Sequence, residues 1–146
     1  MGKYAKFFIS FKLILKRGNK ILILTETKTG FFDIPGGRVD EREAKSPIQK
    51  VLKREINEEL GSSVRYKIIN PAIQYRHYDK FRKPDVLITA YEAEYLSGKI
   101  KLSTEHQKYE WVDPQKFNFK NWKFSSKEER LVFEEYFKKL KGRKNN

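Results

Sequence analysis

Three glutamates in the middle of the chain have a spacing that suits metal chemistry. Glu55, Glu58 and Glu59 lie three and four residues apart, so in a helix their carboxylates share one edge. Like charges at this spacing repel each other, and the helix dipole disfavours anions near a helix C-terminus. A solvated acidic face crossed by an Arg54–Glu58 pair is the alternative. Clustered oxygen ligands for a hard divalent cation explain the unfavourable spacing better.

The helix that carries these glutamates is predicted from residue 47 to residue 60. Ser46 is a preferred N-cap, Pro47 suits the first helical position, and Gln49 completes a capping box with Ser46. Gly61 follows the helix as a C′ glycine should. The residues expected on its buried face, at helical spacing, are Ile48, Val51, Leu52, Ile56 and Leu60.

The same segment resembles a known family motif. Residues 54–61, REINEELG, match the second half of the Nudix box, which has the pattern Arg-Glu-apolar-any-Glu-Glu-any-Gly. Pro35, Gly36 and Gly37 resemble its glycine entrance. This combination is far more specific than a lone glycine motif.

The chain departs from the box between these two parts. Ten residues separate Glu43 from Arg54, three more than the family usually has, and we interpret the difference as a longer loop before Ser46. In the family, a glutamate at this place supports the arginine. Here Glu41 and Glu43 are both candidates for that role, and the remaining alternative is that neither residue supports the arginine.

A second motif supports the first. In residues 102–112, LSTEHQKYEWV, Glu105 precedes Trp111, which resembles the Nudix loop that supplies a further glutamate as metal ligand or general base. The segment is also similar to the corresponding loop of asymmetrical diadenosine tetraphosphate hydrolases. An ordinary polar loop anchored by Trp111 is the alternative.

The resemblance implies a metal-dependent hydrolase. Its metal ligands would be the Gly36 carbonyl and the side chains of Glu55, Glu58, Glu59 and Glu105, holding Mg²⁺ or Mn²⁺. The same four glutamates would be the catalytic residues, and which of them acts as general base is open.

The implied reaction is cleavage of the diphosphate linkage in a nucleoside diphosphate joined to another moiety, such as a dinucleoside polyphosphate. A nucleoside triphosphate, a nucleotide sugar and the 5′ end of RNA are alternative substrates, and a non-catalytic module that binds nucleotide or RNA is an alternative function. Such a module should have lost glutamates of the box, whereas this chain keeps them.

Substrate-binding residues are less clearly marked. Aromatic side chains could stack a base and cations could meet the phosphates, although core packing explains each aromatic residue equally well. We interpret His77 and His106 as hydrogen-bonded structural histidines. The substrate-binding candidates are Arg38, Tyr75, Tyr78, Phe81, Arg82 and Tyr109.

Composition restricts the class of protein. With 146 residues and no cysteine, the chain suits one domain, at residues 1–141, and excludes disulfides and thiolate metal sites. The net charge of +13 favours polyanionic ligands, but the basic residues are scattered, apart from a basic tail at residues 142–146 that we expect to be disordered. The absence of a membrane-length apolar run predicts a cytoplasmic protein. A monomer and a homodimer are both open.

The pattern of elements predicts an α/β fold. Strands are expected at residues 4–15, 21–27, 64–69, 73–78 and 85–95. A second helix is expected after Ser126, which begins a capping box with Glu129. Strands around a central helix, with another helix near the end, indicate a mixed sheet between helices, in agreement with the Nudix-type α/β/α sandwich that the resemblance implies.

Overall fold

The computed structural model describes residues 2–78, 80–81 and 83–144. Short 3₁₀ turns lie at Glu41–Glu43 and Phe119–Asn121. The strands are β1 (Phe7–Arg17), β2 (Lys20–Glu26), β3 (Phe32–Asp33), β4 (Gly36–Arg38), β5 (Arg65–His77), β6 (Asp85–Ser97) and β7 (His106–Val112), and the helices are α1 (Ile48–Leu60) and α2 (Lys127–Lys144).

The strands form one mixed sheet in the order β3-β2-β1-β6-β5. β1 is central: it pairs in parallel with β6 and antiparallel with β2 at one end and with β4 at the other. β7 pairs antiparallel with β2. This register brings β4, the end of β2 and the start of β7 to the same region of the sheet, next to α1.

The two helices cover opposite faces of the sheet. Side chains alternate along a strand, so Leu13 and Leu15 of β1 pack in one core cluster with Leu52 of α1. Ile14 belongs to the other cluster, with Phe133 of α2. The predicted α/β/α sandwich with a mixed sheet is confirmed.

Several boundaries differ from those predicted. The two segments expected near residues 64–78 form one strand, β5, whose pairing with β6 shifts register between Ile68 and Asn70 and between Pro71 and Ile73. A proline without an N–H group is tolerated because β5 is an edge strand and carries bulges there. β7 begins at His106, so much of the expected loop at residues 102–112 is strand.

The chain end and one helix cap also differ. α2 continues to Lys144, so residues 142–144, assigned to a disordered tail, are helical. The N-cap of α1 is Pro47 rather than Ser46, and no side chain caps the helix. In the part of the chain that the structure describes, no helix combines the length and apolarity needed to cross a membrane.

Candidate metal and active site

Arg54 of α1 connects the glutamates of the motif to the glycine segment. Its Nε and Nη2 donate to the two carboxylate oxygens of Glu43 at 2.7 and 2.6 Å, and Nη2 also donates to the Arg38 carbonyl at 3.2 Å. Ion pairs join the same guanidinium to Glu55 at 2.9 Å and to Glu58 at 3.2 Å. Of the two candidates, it is therefore Glu43 that supports Arg54.

The added residues of the motif form a compact turn that holds Glu43 in place. The Asp40 carboxylate accepts from the Arg42 amide at 2.9 Å, while Glu43 Oε1 accepts from the Asp40 amide at 3.0 Å, which is a capping box on the 3₁₀ turn. The hydrogen bonds from Arg54 hold the pKa of Glu43 below its usual range. Because α1 starts only at Ile48, the extra length lies before the helix, as interpreted from the sequence.

The two glycines of β4 let the main chain approach the glutamates closely. Gly36 has φ +136°, and its amide donates to Glu59 Oε2 at 3.2 Å. A Cβ on Gly37 would lie 2.7 Å from Glu55 Oε1 and closer still to the rest of that carboxylate. A Cβ on Gly36 would meet the main chain of Phe11 and Lys12 in β1, whereas a Cβ on Gly37 would meet Glu55 of α1.

Glu59 is the buried glutamate of the three, with 5% of its surface exposed. Burial raises its pKa to about 8, although the nearby Lys12 charge opposes the shift. The carboxyl group is thus mostly protonated at neutral pH when no cation is present. A divalent cation would replace that proton.

Beside Glu59 lies a row of three titratable side chains, which come from β1, β3 and β7. Lys12 Nζ pairs with Asp33 Oδ1 at 2.7 Å, and His106 Nε2 lies 2.9 Å from Asp33 Oδ2. Burial alone would raise the pKa of Asp33, but Lys12 and His106 outweigh it and hold that pKa at about 2. Burial alone would lower the pKa of His106, but its hydrogen bond with Asp33 raises that pKa above the ordinary value.

The loop before β7 carries Glu105 to this place. Its backbone is tied to the end of α1, because the Ser103 amide donates to the Glu59 carbonyl at 3.2 Å. It is tied to the end of β2 as well, where the Thr27 amide donates to the Glu105 carbonyl at 2.9 Å. As a result, one ligand atom each from Glu59, Glu105 and His106 lies within 4.8 Å of the others.

This arrangement fits a divalent cation. Two carboxylates and an imidazole supply oxygen and nitrogen ligands at one point, and a cation there would offset the burial of Glu59. Glu55 and Glu58 lie on the Arg54 side of the same helix edge and are not members of this group of three. Their roles as ligands, and that of the Gly36 carbonyl, stay predictions.

A polar cavity of about 190 Å³ opens on the α2 side of the sheet, next to the glycine segment. Burial raises the pKa of Glu129, which lines it, to about 7. A larger cavity of about 370 Å³ lies at the Lys16 end of β1, and its lining includes Asp113 but none of the box glutamates. Residues lining the smaller cavity include Lys12, Asp33, Gly37, Arg38, His77 and Glu129.

The predicted substrate-binding residues lie in different environments in the structure. Tyr75 was wrongly considered for a stacking platform: it is 3% exposed and packs edge-on against Phe133 in the core, because its side of β5 faces α2. Arg38 lines the cavity. Arg82 lies outside the described residues.

The other aromatic candidates are accessible but lie outside the cavity lining. Tyr78 is half-exposed, contacts the Arg76 guanidinium through its ring, and donates to Glu128. Phe81 is 94% exposed. Tyr109 is exposed on β7, opposite Leu24 of β2.

Sequence reasoning missed the arrangement of three polar groups of the site, of which His106 is buried and Lys12 and Asp33 are half-buried. Lys12 lies within the apolar pattern of a strand, between Phe11 and Leu13. Because an unpaired lysine is almost never buried, a lysine at such a position indicates a nearby acidic partner. No motif singled out Asp33. The prediction that His106 is hydrogen-bonded is confirmed by its contact with Asp33, but its position next to Glu59 was not predicted.

Comparison with known proteins agrees with this geometry. The NUDIX domain family matches residues 7–132. None of the curated proteins matches the chain.

Solved structures share the fold at low sequence identity. The MutT protein from Methanosarcina mazei Go1 is similar with a TM-score of 0.72 and 23% identity, covering 96% of this chain and 99% of its own. The MutT NUDIX hydrolase from Burkholderia pseudomallei has a TM-score of 0.66 and 21% identity, with 88% and 97% covered. An ADP-ribose pyrophosphatase from Streptococcus suis has a TM-score of 0.61 and 15% identity, with 88% and 89% covered.

The family match spans most of the chain. Within the described residues, Arg54 contacts Glu43, Glu55 and Glu58, and the Gly36 amide contacts Glu59. The chain therefore belongs to the Nudix family and is a Nudix pyrophosphohydrolase.

Proposed function

We propose that this protein hydrolyses the diphosphate linkage of a nucleoside diphosphate joined to another moiety, and that it uses Mg²⁺ or Mn²⁺. The observation that carries the proposal is the grouping of Glu59, Glu105 and His106 ligand atoms within 4.8 Å of one another. His106 contacts Asp33 at 2.9 Å, and Asp33 lines the polar cavity that reaches Gly37. Carboxylates next to a ligand cavity are what cleavage of a bound polyphosphate requires.

Each group of residues has a distinct part in this proposal. Glu59 and Glu105 hold the cation, with Glu55 and Glu58 as further ligands. The cation supplies charge neutralisation on the phosphate oxygens and lowers the pKa of the attacking water. One of the glutamates takes the proton from that water. Arg38, at the rim of the cavity, meets the phosphate chain.

The size of the cavity limits which part of the substrate it can enclose. Sites that enclose a drug-sized ligand measure about 300–1,000 Å³, whereas this cavity measures about 190 Å³. It is therefore too small to enclose a whole dinucleoside polyphosphate, and part of such a substrate would stay on the surface. This supports a nucleoside diphosphate with a variable partner group, as in a nucleoside triphosphate, ADP-ribose or a dinucleoside polyphosphate.

A dinucleoside polyphosphate is the favoured substrate within this class. The Glu105-to-Trp111 segment is similar to that of diadenosine tetraphosphate hydrolases, and Tyr78 and Phe81 offer exposed rings outside the cavity for a second base. Base stacking on an aromatic side chain contributes about 1–3 kcal/mol in single-strand binding. The RNA 5′ end is an alternative that the charge of +13 favours mildly.

A substrate panel tests the proposal. Purified protein is incubated with diadenosine tetraphosphate, a nucleoside triphosphate, ADP-ribose, a nucleotide sugar and 5′-triphosphorylated RNA, each with Mg²⁺ and with Mn²⁺. We expect the highest kcat/KM for diadenosine tetraphosphate, split to ATP and AMP. A far higher value for another substrate would contradict the dinucleoside assignment, and inactivity on the whole panel would favour the binding-module alternative.

Variants of the aromatic residues sharpen the test. Tyr78→Ala or Phe81→Ala should raise KM for diadenosine tetraphosphate about tenfold, since each 1.4 kcal/mol is a factor of ten, and should leave KM for the nucleoside triphosphate nearly unchanged. Leu96→Ala is the control, because this exposed side chain lies at the opposite end of β6 from Val86, the residue that pairs with His77 next to Tyr78. Equal effects on both substrates would argue against a second base platform.

A further inference from the structure

His106 has an unusual environment for a structural histidine. It is 5% exposed, and its Nε2 is engaged by Asp33 Oδ2 at 2.9 Å. Its other ring nitrogen, Nδ1, is buried and has no hydrogen-bond partner among the described residues. A buried polar atom without a partner is costly and rare, so an unseen ligand is the first explanation to test.

The surroundings of His106 indicate what that ligand is. One of its ring nitrogens lies within 4.8 Å of a carboxylate oxygen of Glu59 and of Glu105, and Nδ1 is the nitrogen that Asp33 leaves available. When Nε2–H donates to Asp33, Nδ1 carries a lone pair that no described residue uses. A partner that also satisfies two carboxylates is a cation.

The hydrogen bond to Asp33 is also typical of a metal-binding histidine. Such histidines almost always donate their second N–H to a carboxylate or a carbonyl, which fixes the ring and makes the ligating nitrogen more basic. Here Lys12 holds Asp33 from the other side at 2.7 Å, so the acceptor cannot turn away. Contacts within the sheet therefore fix the orientation of the imidazole ring in the absence of an ion.

We propose that His106 Nδ1 is a metal ligand, which together with Glu59 and Glu105 forms a mixed nitrogen and oxygen site. This inference rests on the proposed function in one respect only, that a cation binds at this edge of the sheet. Its consequence is metal selectivity. Imidazole nitrogen suits first-row transition metals, whereas Mg²⁺ favours oxygen ligands, so the site should prefer Mn²⁺ or Co²⁺ to Mg²⁺.

The direct test reads the ligand atom rather than the activity. The full-length, untagged His77→Asn variant is labelled with ¹⁵N-histidine, so that His106 is its one remaining histidine, and Mn²⁺ is added. Electron spin echo spectroscopy should detect a ¹⁵N hyperfine coupling to Mn²⁺, which becomes a ¹⁴N coupling in unlabelled protein. Bound Mn²⁺ without nitrogen coupling would overturn the inference and leave the proposed hydrolysis standing, and failure to bind Mn²⁺ would overturn the inference too.

A second experiment measures the preference of the site for Co²⁺ over Mg²⁺. Calorimetric titration should show that His106→Asn weakens Co²⁺ binding by about ten- to a hundredfold, the range seen when even an outer partner of a metal ligand is lost. Mg²⁺ binding should change less, and His77→Asn should leave the Co²⁺ affinity at the wild-type value. A parallel loss of both ions, or of neither, would contradict a nitrogen ligand.

Discussion

The main chain at Gly37 lies against the carboxylate of Glu55, so closely that a Cβ on this glycine would stand 2.7 Å from Glu55 Oε1. Gly37→Ala should therefore push this glutamate away from the site and reduce turnover at least tenfold. The protein should still fold, because the displaced carboxylate is the end of a flexible side chain. Thermal unfolding and steady-state rates check this. Wild-type turnover in Gly37→Ala would contradict the placement of Glu55.

Gly36→Ala provides the contrast. Gly36 has φ +136°, and its Cβ would meet the Phe11 carbonyl and the Lys12 main chain. Backbone cannot move aside as a carboxylate can, so this variant should lose stability rather than activity alone. Denaturant unfolding should show a clearly lower midpoint for Gly36→Ala than for Gly37→Ala.

Charge-removing changes on α1 test the catalytic assignment. Glu58→Gln and Glu59→Gln should each keep the fold and lose most turnover, since the amide is a poor replacement for a carboxylate ligand. Glu110→Gln is the control, because Glu110 lies on β7 and pairs with Lys108 at 3.4 Å. If both α1 variants hydrolyse the best substrate at wild-type rates, the assigned site is wrong.

Glu59 also makes the stability of the metal-free protein depend on pH. Its pKa is about 8 in the folded protein and near 4.5 without burial, so the folded state keeps a proton that the unfolded state loses in this range. Stability should fall as pH rises from about 4.5 to about 8, by on the order of a few kcal/mol. Denaturant unfolding in EDTA at several pH values measures the slope.

The variant Glu59→Gln should flatten this slope because glutamine does not titrate. Glu129, with a pKa of about 7, acts in the same direction, so Glu129→Gln should remove only its own share of the slope between about pH 4.5 and 7 and leave the share of Glu59. An unchanged slope in Glu59→Gln would show that this carboxyl ionises normally in the folded protein.

Glu43 is expected to matter where Glu41 does not. Glu43→Gln removes the charge that Arg54 contacts through two nitrogens, and should cost about 1 kcal/mol of stability together with part of the turnover, because Arg54 also pairs with Glu55 and Glu58. Glu41→Gln, two residues away on the same turn, should change stability by less than about 0.5 kcal/mol. Equal effects would refute the role of Glu43.

Two serines test the helix caps. Ser126 Oγ accepts from the Glu129 amide at 3.1 Å, so Ser126→Ala should cost about 1 kcal/mol of stability. Ser46→Ala should cost less than about 0.5 kcal/mol, since Pro47 is the N-cap of α1 and no side chain caps it. A larger loss for Ser46→Ala than for Ser126→Ala in denaturant unfolding would contradict the observed cap.

Local sequence rules predicted α1 almost to the residue, because its apolar spacing and Gly61 act over a few positions. They failed at Ser46, where serine and proline are adjacent and both suit a helix start. They could not decide between core and surface for Tyr75, since the bulges in β5 reset the alternation of its side chains.

The core of the site depends on contacts between distant residues. Lys12 reaches Asp33 across 21 residues, and His106 reaches it across 73. The sheet register creates both contacts, through the pairing of Leu24 with Asp33 and of Glu26 with His106. Motif spacing located the glutamates of α1, but it carries no information about which strands become neighbours.

The parallel ladder between β1 and β6 has a consequence for biosynthesis. Phe7 pairs with Asp85 and Lys16 with Glu94, so each pair closes a segment of 78 residues. Such distant pairing raises contact order and slows folding, because the loss of chain entropy precedes the stabilising contacts. A nascent chain on the ribosome contains the glutamates of α1 well before β6 and Glu105 exist. Metal capture by the growing chain should therefore begin only when synthesis has passed β7.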